Sequence, residues 1–279
     1  MSSHTSLSVA ACLRQAQGLD LARLDAQILL LHALAQPLHD RAWLLLHDTD
    51  EPSLVMLQAF NALVQRRLHN EPIAYLTGSQ DFHGLNLAID PRVLVPRPDT
   101  ETLVDWALSL DLEQATVLDL GTGSGAIALA LKHARPSWNL SAVDASADAL
   151  LVASANAQTL SLQVNFVHGN WFEGLQGRFD LIVSNPPYIA EGDPHLPALR
   201  SEPRQALVSG IDGLDDIRHI IEQAHHHLNA GAWLLLEHGF DQAVAVQDLL
   251  IQAGFTQVQS RVDLAGIKRC SGGQWPEVK

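Results

Sequence analysis

From Thr102 to the C-terminal end, short apolar runs alternate with helical stretches, and this alternation restricts the fold more than any other feature of the chain. Strands are expected over 115–120, 139–144, 162–167, 179–184, 232–237, 255–262 and 267–270, each an apolar run bounded by turn residues. Helices are expected over 126–133, from 146 to about 158, over 214–228 and over 241–253. Repeated strand–helix–strand units give a mostly parallel sheet with helices on both faces. The last two strands flank Ala265-Gly266, which predicts a closing hairpin. The expectation is therefore an α/β domain built on a seven-stranded, mostly parallel sheet.

The residues before this block differ in character. Residues 1–75 read as a small helical domain. Leu24, Ile28, Leu31 and Ala35 fall on one helical face, and Leu57, Asn61, Val64 and Leu68 on a face of a later helix. Asp50 can cap that later helix, with Pro52 in its first turn, and Pro37 separates two of the helices. With no glycine-rich turn and few β-branched runs, this domain reads as a contact surface for a partner. Residues 76–100 read as a β-hairpin turning at His83-Gly84, followed by a linker. In the linker, Pro96 and Pro98 forbid a regular helix, and Asp99 or Thr100 can cap the helix that follows. Arg97 and Glu101 read, taken alone, as solvated charges at a helix start. The α/β domain then occupies 101–279.

Composition excludes several classes. The formal net charge of −14 and only two adjacent basic pairs, Arg66-Arg67 and Lys268-Arg269, argue against a broad footprint on naked nucleic acid. No apolar run is long enough to span a bilayer. The start, Met1-Ser2-Ser3-His4-Thr5, has no basic region followed by an apolar core. Cys12 and Cys270 have no metal-ligand spacing and read as free thiols in a reducing compartment. A soluble cytoplasmic monomer without a metal is expected.

Three features at expected strand ends carry chemistry. Asp119-Leu120-Gly121-Thr122-Gly123-Ser124-Gly125 joins strand to helix, with glycines that permit a tight turn and close approach of a ligand. Asp144 ends the next strand, where an acid accepts both ribose hydroxyls of a nucleoside; the competing role is a cap for the helix at Ser146. Asn185-Pro186-Pro187-Tyr188 ends the fourth strand. Its prolines remove two backbone donors. The Asn185 side-chain oxygen, the freed carbonyls and the Tyr188 ring suit a planar –NH2 group, whereas the simplest alternative is a proline turn that stops a strand. The G-x-G-x-G spacing departs from the dinucleotide fingerprint G-x-G-x-x-G, so a cofactor with a ribose and adenine but no pyrophosphate fits better.

These residues resemble a known family. The segment Asp119 through Gly125 resembles motif I of class I S-adenosylmethionine-dependent methyltransferases, and Asn185-Pro186-Pro187-Tyr188 resembles the motif used to methylate planar nitrogens. The chain as a whole resembles the HemK/PrmC group, through Pro72-Ile73-Ala74-Tyr75-Leu76-Thr77-Gly78, Phe82-His83-Gly84, Leu94-Val95-Pro96-Arg97-Pro98-Asp99-Thr100-Glu101, Glu202-Pro203, Ala206-Leu207, Gly210-Ile211-Asp212-Gly213-Leu214 and Glu237-His238-Gly239. The resemblance implies a Rossmann-like methyltransferase fold and the cofactor S-adenosyl-L-methionine. It implies a protein substrate, the glutamine of the Gly-Gly-Gln motif of class 1 peptide chain release factors. It implies that Asp119, Gly121, Thr122, Gly123, Ser124, Gly125, Asp144, Trp171 and Asn185 hold the cofactor. It likewise implies that Asn185, Pro186, Pro187 and Tyr188 hold the glutamine, with Asn185, Pro186 and Tyr188 acting in transfer. Two positions depart from the family pattern: Asn170 stands where an acid is common, and Asp99 where glutamate is.

Two other functions share these motifs: a glutamine methyltransferase acting on a ribosomal protein, and a nucleic-acid adenine N6 methyltransferase working on a flipped base. His225-His226-His227 lies in an expected helix, where neighbours point to different faces, so it reads as solvated surface. Trp233 reads as core. Gly272-Gly273-Gln274 repeats the letters of the implied substrate motif, and the better reading is coincidence within a terminal strand.

Overall fold

The computed structural model describes residues 7–277, and the chain divides after Gly78 into two units. The start of the chain, on which the expected lack of a secretory signal rests, lies outside the described residues.

The first unit is helical: α1 (Val9–Gln17), α2 (Arg23–Ala33), α3 (Arg41–Leu46), α4 (Leu54–Leu68) and the short α5 (Ile73–Thr77). Side chains cap three of them, with Ser8, Asp40 and Ser53 accepting from the backbone N–H three residues on. Ser53, not Asp50, is the cap of α4, so Pro52 precedes the helix instead of opening it. The expected α2 face is also wrong. Ala26, Leu29, Leu30 and Leu31 are buried, Leu24 is 50% exposed, and Ala35 lies beyond the helix end. The reason is packing: α2 touches α1, α3, α4 and α5, so the run Leu29-Leu30-Leu31 is covered around most of its circumference.

The second unit opens with the hairpin β1 (Ser79–Phe82) and β2 (Leu85–Ala88), antiparallel about His83-Gly84. A 3-10 turn at Pro98–Thr100 runs into α6 (Glu101–Ser109), and neither Asp99 nor Thr100 caps it with its side chain. Then follow β3 (Thr116–Leu120), α7 (Ala126–Ala134), β4 (Asn139–Asp144), α8 (Ala147–Thr159), β5 (Asn165–His168) and β6 (Phe179–Ser184). The chain closes with α9 (Asp215–Ala224), β7 (Leu228–Glu237), α10 (Ala243–Gln252), β8 (Thr256–Val262) and β9 (Lys268–Gln274).

The sheet has seven strands in the order β5-β4-β3-β6-β7-β9-β8, parallel through β7 and antiparallel where β9 meets β7 and β8. After β3 the chain builds outward through β4 and β5, then returns to place β6 on the other side of β3. The strand order therefore reverses between β3 and β6, and open α/β sheets bind ligands outside the carboxyl ends of strands at such a point. The inner strands are almost wholly buried: Val117, Leu118, Leu120, Leu181, Ile182 and Val183 are each 0% exposed.

Four boundaries differ from expectation by three residues or more, one of them the start of β7, which lies at Leu228 instead of 232. Strand β5 starts at Asn165, because Leu162 N–H bonds back to the Ala157 carbonyl and Ser161 takes φ 56° to close α8. Helix α9 stops at Ala224, so His225-His226-His227 forms the turn into β7; the His225 and His226 rings lie 3.7 Å apart, not on separate helix faces. Strand β9 runs on through Gly272, Gly273 and Gln274. A Cβ on Gly272 would lie 2.6 Å from the Leu234 carbonyl, and Gln274 donates its amide to the Gly231 carbonyl at 2.7 Å. These glycines let β9 pack in the sheet. Trp233 is half-buried, edge-on to Trp106 with ring centroids 6.2 Å apart. No helix among the described residues is long and apolar enough to cross a membrane.

Candidate active site

Strand β3 delivers the glycine turn to the point of reversal. Gly121 and Thr122 both donate their backbone N–H to the Val143 carbonyl at 2.9 Å, which clamps the turn to β4. Gly121 has φ 72°, and a Cβ there would lie 3.3 Å from the Trp171 ring. Gly125 has φ 84° at the start of α7, where a Cβ would meet Leu129 at 3.0 Å and Ala153 at 3.2 Å. Both positions require glycine, one for the ring that faces it and one for helix packing.

Asp144 stands at the end of β4. Its Oδ2 accepts from Gly123 N–H at 2.8 Å and its Oδ1 from Ser146 N–H at 2.8 Å. The cap of α8 is Ser146 itself, whose hydroxyl accepts from Ala149 N–H at 3.2 Å. Burial raises the Asp144 pKa, and the two N–H groups oppose the rise. Asp119 is fully buried under the turn. Its Oδ2 accepts from the Thr122 hydroxyl at 2.6 Å and from Ala128 N–H at 3.2 Å, while its Oδ1 has no partner among the described residues. Burial pushes its pKa up to about 7.

Strand β6 delivers Asn185-Pro186-Pro187-Tyr188 next to the turn, because β6 pairs with β3 in the register Leu120↔Ser184. The Asn185 carboxamide donates from Nδ2 to the Thr100 hydroxyl at 3.2 Å. No group among the described residues donates to Asn185 Oδ1 or to the Pro186 carbonyl. Tyr188 donates its hydroxyl to Glu237 Oε1 at 3.2 Å, and its carbonyl accepts from the Gln242 side chain at 3.0 Å. Burial, then the Glu237 carboxyl, raise the Tyr188 pKa.

One cleft of about 220 Å³ joins these parts. Gly121, Gly123, Asp144, Trp171, Asn185 and Pro187 line it, with Gly169 and Asn170 beside Trp171. Trp171 holds φ 51°, an unusual conformation for a bulky residue, and its ring faces Gly121. Of the remaining expected residues, Asp119, Thr122, Ser124 and Gly125 lie beneath the turn, Pro186 is buried and Tyr188 is half-buried.

Sequence reasoning missed several contributors. Asn156, 2% exposed on α8, pairs with both backbone groups of Ala88 and donates to the Ser124 carbonyl at 3.0 Å, tying the hairpin to the glycine turn. An asparagine on a helix gives no sign of this in the sequence. Arg92, Val93 and Leu94 from the linker, and Pro203, Gln205 and Ala206, form another wall of the cleft. Arg97 and Glu101 are not solvated charges. Arg97 pairs with the buried Glu202 carboxylate, which also accepts from Val95 N–H at 3.2 Å, and Glu101 accepts from His83 N–H at 2.8 Å. Asp99 pairs with Arg269 at 3.1 Å. Among the described residues no cluster of His, Cys, Asp and Glu could hold a metal ion.

The fold defines the class. The Methyltransferase small domain family matches residues 100–206, and a solved methyltransferase from Pyrococcus furiosus superposes with a TM-score of 0.54 at 21% identity, covering 77% of this chain and 98% of that one. The second unit thus has the class I S-adenosylmethionine-dependent methyltransferase fold. The PrmC N-terminal domain family matches residues 8–78. Release factor glutamine methyltransferase of Bordetella pertussis is 49% identical over 259 residues, covering 91% of this chain and 95% of the relative. The Pseudomonas aeruginosa protein of the same name is 48% identical over 262 residues, covering 91% and 93%. The chain belongs to the release factor glutamine methyltransferase family, the HemK/PrmC group.

Proposed function

We propose that this chain transfers a methyl group from S-adenosyl-L-methionine to the side-chain amide nitrogen of the Gly-Gly-Gln glutamine in class 1 peptide chain release factors. The observation that carries the reading is the pair of acceptors without partners among the described residues, Asn185 Oδ1 and the Pro186 carbonyl, in the same turn of chain that lines the cleft beside Gly121 and Asp144.

The residues present fit the cofactor. Asp144 offers carboxylate oxygens at the strand end to a ribose, and the Trp171 ring beside Asn170 offers a face to an adenine. Asp119 Oδ1, without a partner among the described residues, is an acceptor for an ammonium group, and burial is what raises the pKa of this carboxyl. The backbone of Gly121 and Gly123 leaves room for close approach. When bound, the cofactor supplies an activated methyl on a sulfonium sulfur.

The chain's own work is orientation. An amide nitrogen is a poor nucleophile because its lone pair is delocalised into the carbonyl. Asn185 Oδ1 and the Pro186 carbonyl accept the two N–H bonds of the substrate carboxamide, turning its nitrogen into line with the methyl and stabilising positive charge as it builds there. Pro187 and the Tyr188 ring wall the amide plane. Holding two reactants in attack geometry can remove roughly 7–11 kcal/mol from a barrier. With the cofactor bound, its methyl would pass directly to the nitrogen that Asn185 Oδ1 and the Pro186 carbonyl hold in line, and one of the two amide protons would then be lost to solvent. No cysteine, serine or lysine is set up among the lining residues as a covalent carrier.

The helical unit, residues 7–78, supplies contact with the release factor. We place the reaction in the cytoplasm, a reducing compartment that suits the free buried thiols Cys12 and Cys270. The deciding experiment offers labelled cofactor together with a release factor, its Gly-Gly-Ala variant, a ribosomal protein and DNA. Label on the release factor alone, abolished by the Gln→Ala change, is the expected result. Label on the ribosomal protein or the DNA instead would overturn the reading.

A further inference from the structure

Beneath the carboxamide cradle lies a buried polar relay that the methyl-transfer chemistry does not itself use. Thr100 is 3% exposed and Glu237 1% exposed. Thr100 accepts from Asn185 Nδ2 at 3.2 Å, and Glu237 Oε1 accepts from the Tyr188 hydroxyl at 3.2 Å. The two side chains therefore meet opposite ends of the tetrapeptide. Glu237 Oε2 is buried without a partner among the described residues. An acid held this way weakens a fold, so its place under a cradle points to a role there.

We propose that Glu237 and Thr100 are positioning residues for methyl transfer, Thr100 fixing which atom of the Asn185 carboxamide faces the cleft and Glu237 fixing the Tyr188 ring. The proposal rests on the reading of Asn185 as the substrate clamp. Its logic is the donor count. An ionised carboxylate only accepts, and a threonine hydroxyl has one proton to give. Glu237 Oε1 takes the Tyr188 hydroxyl proton, and the Thr100 hydroxyl oxygen takes a proton from Asn185 Nδ2 at 3.2 Å. With Nδ2 committed, Oδ1 is left outward as an acceptor.

The bond from the Tyr188 hydroxyl makes the cradle sensitive to the charge of Glu237, whose pKa burial pushes up to about 7. The groups facing it are Thr100 and Asp99 ahead of α6, Tyr188 after β6, and Arg269 and Cys270 on β9. Of these, Arg269 favours the ionised form and Asp99 opposes it. A protonated Glu237 accepts the Tyr188 hydroxyl more weakly, and the ring loses part of its hold.

The test uses the whole chain and two readouts. Thr100→Val keeps the shape and removes the hydroxyl; we expect kcat on a release factor to fall about 10–100-fold with cofactor Kd unchanged, and Thr100→Ser to restore it. The ring signals of Tyr188, followed from pH 6 to pH 8.5 without substrate, should move with a midpoint near Glu237's about 7 in the wild-type chain and stay fixed in Glu237→Gln. A Thr100→Val enzyme with wild-type kcat overturns the proposal. So do Tyr188 ring signals equally indifferent to pH in wild type and Glu237→Gln. The second readout needs no methyl acceptor, so it stands even if the wild-type chain puts no label on the release factor, which would sink the functional reading alone. Melting curves and cofactor titration separate a variant that has lost the relay from one that has not folded.

Discussion

Asp144 holds the glycine turn from the neighbouring strand: its carboxylate receives the Gly123 and Ser146 N–H groups, each at 2.8 Å. One side chain thus shapes the turn and stands at the cleft where a ribose would lie. Asp144→Ala removes both functions. Cofactor affinity should fall about 100-fold or more, while kcat at saturating cofactor changes far less, because the residue is remote from the clamp on the acceptor nitrogen. Isothermal titration beside steady-state kinetics separates the two effects; an unchanged Kd would remove Asp144 from the cofactor site.

Asn185 should give the reverse pattern. Its Oδ1 has no partner among the described residues, so Asn185→Ala takes away an acceptor meant for the substrate. Turnover should drop by about 100-fold or more with cofactor Kd within a few-fold of wild type. Single-turnover transfer and cofactor titration on the same preparation provide the check. Equal losses in both would contradict the orienting role.

These two residues also mark what the sequence discloses. The glycine turn, Asp144 and the Asn185 tetrapeptide are legible because each needs a rare combination of residue types at a strand end, and the period of the apolar runs locates those ends. Strands β4 and β6 have the expected bounds. The failures have a common cause. Whether Arg97 is solvated depends on Glu202, which is distant in sequence and buried where the chain returns. Asn156 looks like any polar helical residue until the hairpin folds over it. The face of α2 depends on how many helices surround it, which no single-helix periodicity records. Contacts between distant segments decided every one of these.

The Arg97–Glu202 pair carries a stability prediction. The Glu202 side chain is 2% exposed and that of Arg97 36%. Arg97→Ala leaves a buried carboxylate with Val95 N–H as its remaining hydrogen-bond donor among the described residues. Breaking a buried pair from one side costs about 3–5 kcal/mol; with Arg97 partly exposed we expect about 2–3 kcal/mol. Denaturant unfolding of the intact chain measures it, and Arg97→Ala combined with Glu202→Gln should recover part of the loss. Pro203, Gln205 and Ala206, just beyond Glu202, line the cleft, so cofactor affinity should weaken in step. A Glu202→Gln chain as unstable as the Arg97 variant would contradict the argument from an uncompensated charge.

The elevated pKa of Asp119 gives a pH prediction with a definite sign. Its ordinary value is 3.8 and burial takes it to about 7, so between these limits the native chain keeps a proton that the unfolded chain has released. Stability from this group is present at the acid end and is lost as pH rises through that window, by on the order of 2–4 kcal/mol, levelling off above about pH 7. His227 and His238, which burial lowers, act in the opposite direction below their ordinary 6.5, and the surface carboxylates paired with arginine, such as Asp90 with Arg92, act at more acid pH still. The useful quantity is therefore a difference. Asp119→Asn carries no charge to desolvate, so its melting temperature relative to wild type should rise from pH 5 to pH 8. Its cofactor affinity should fall, because the orphaned oxygen no longer offers a negative charge to an ammonium group. Thermal melts of both chains at several pH values, with and without cofactor, test this directly. A difference that is flat with pH would show that Asp119 is ionised throughout and owes the fold nothing for its burial.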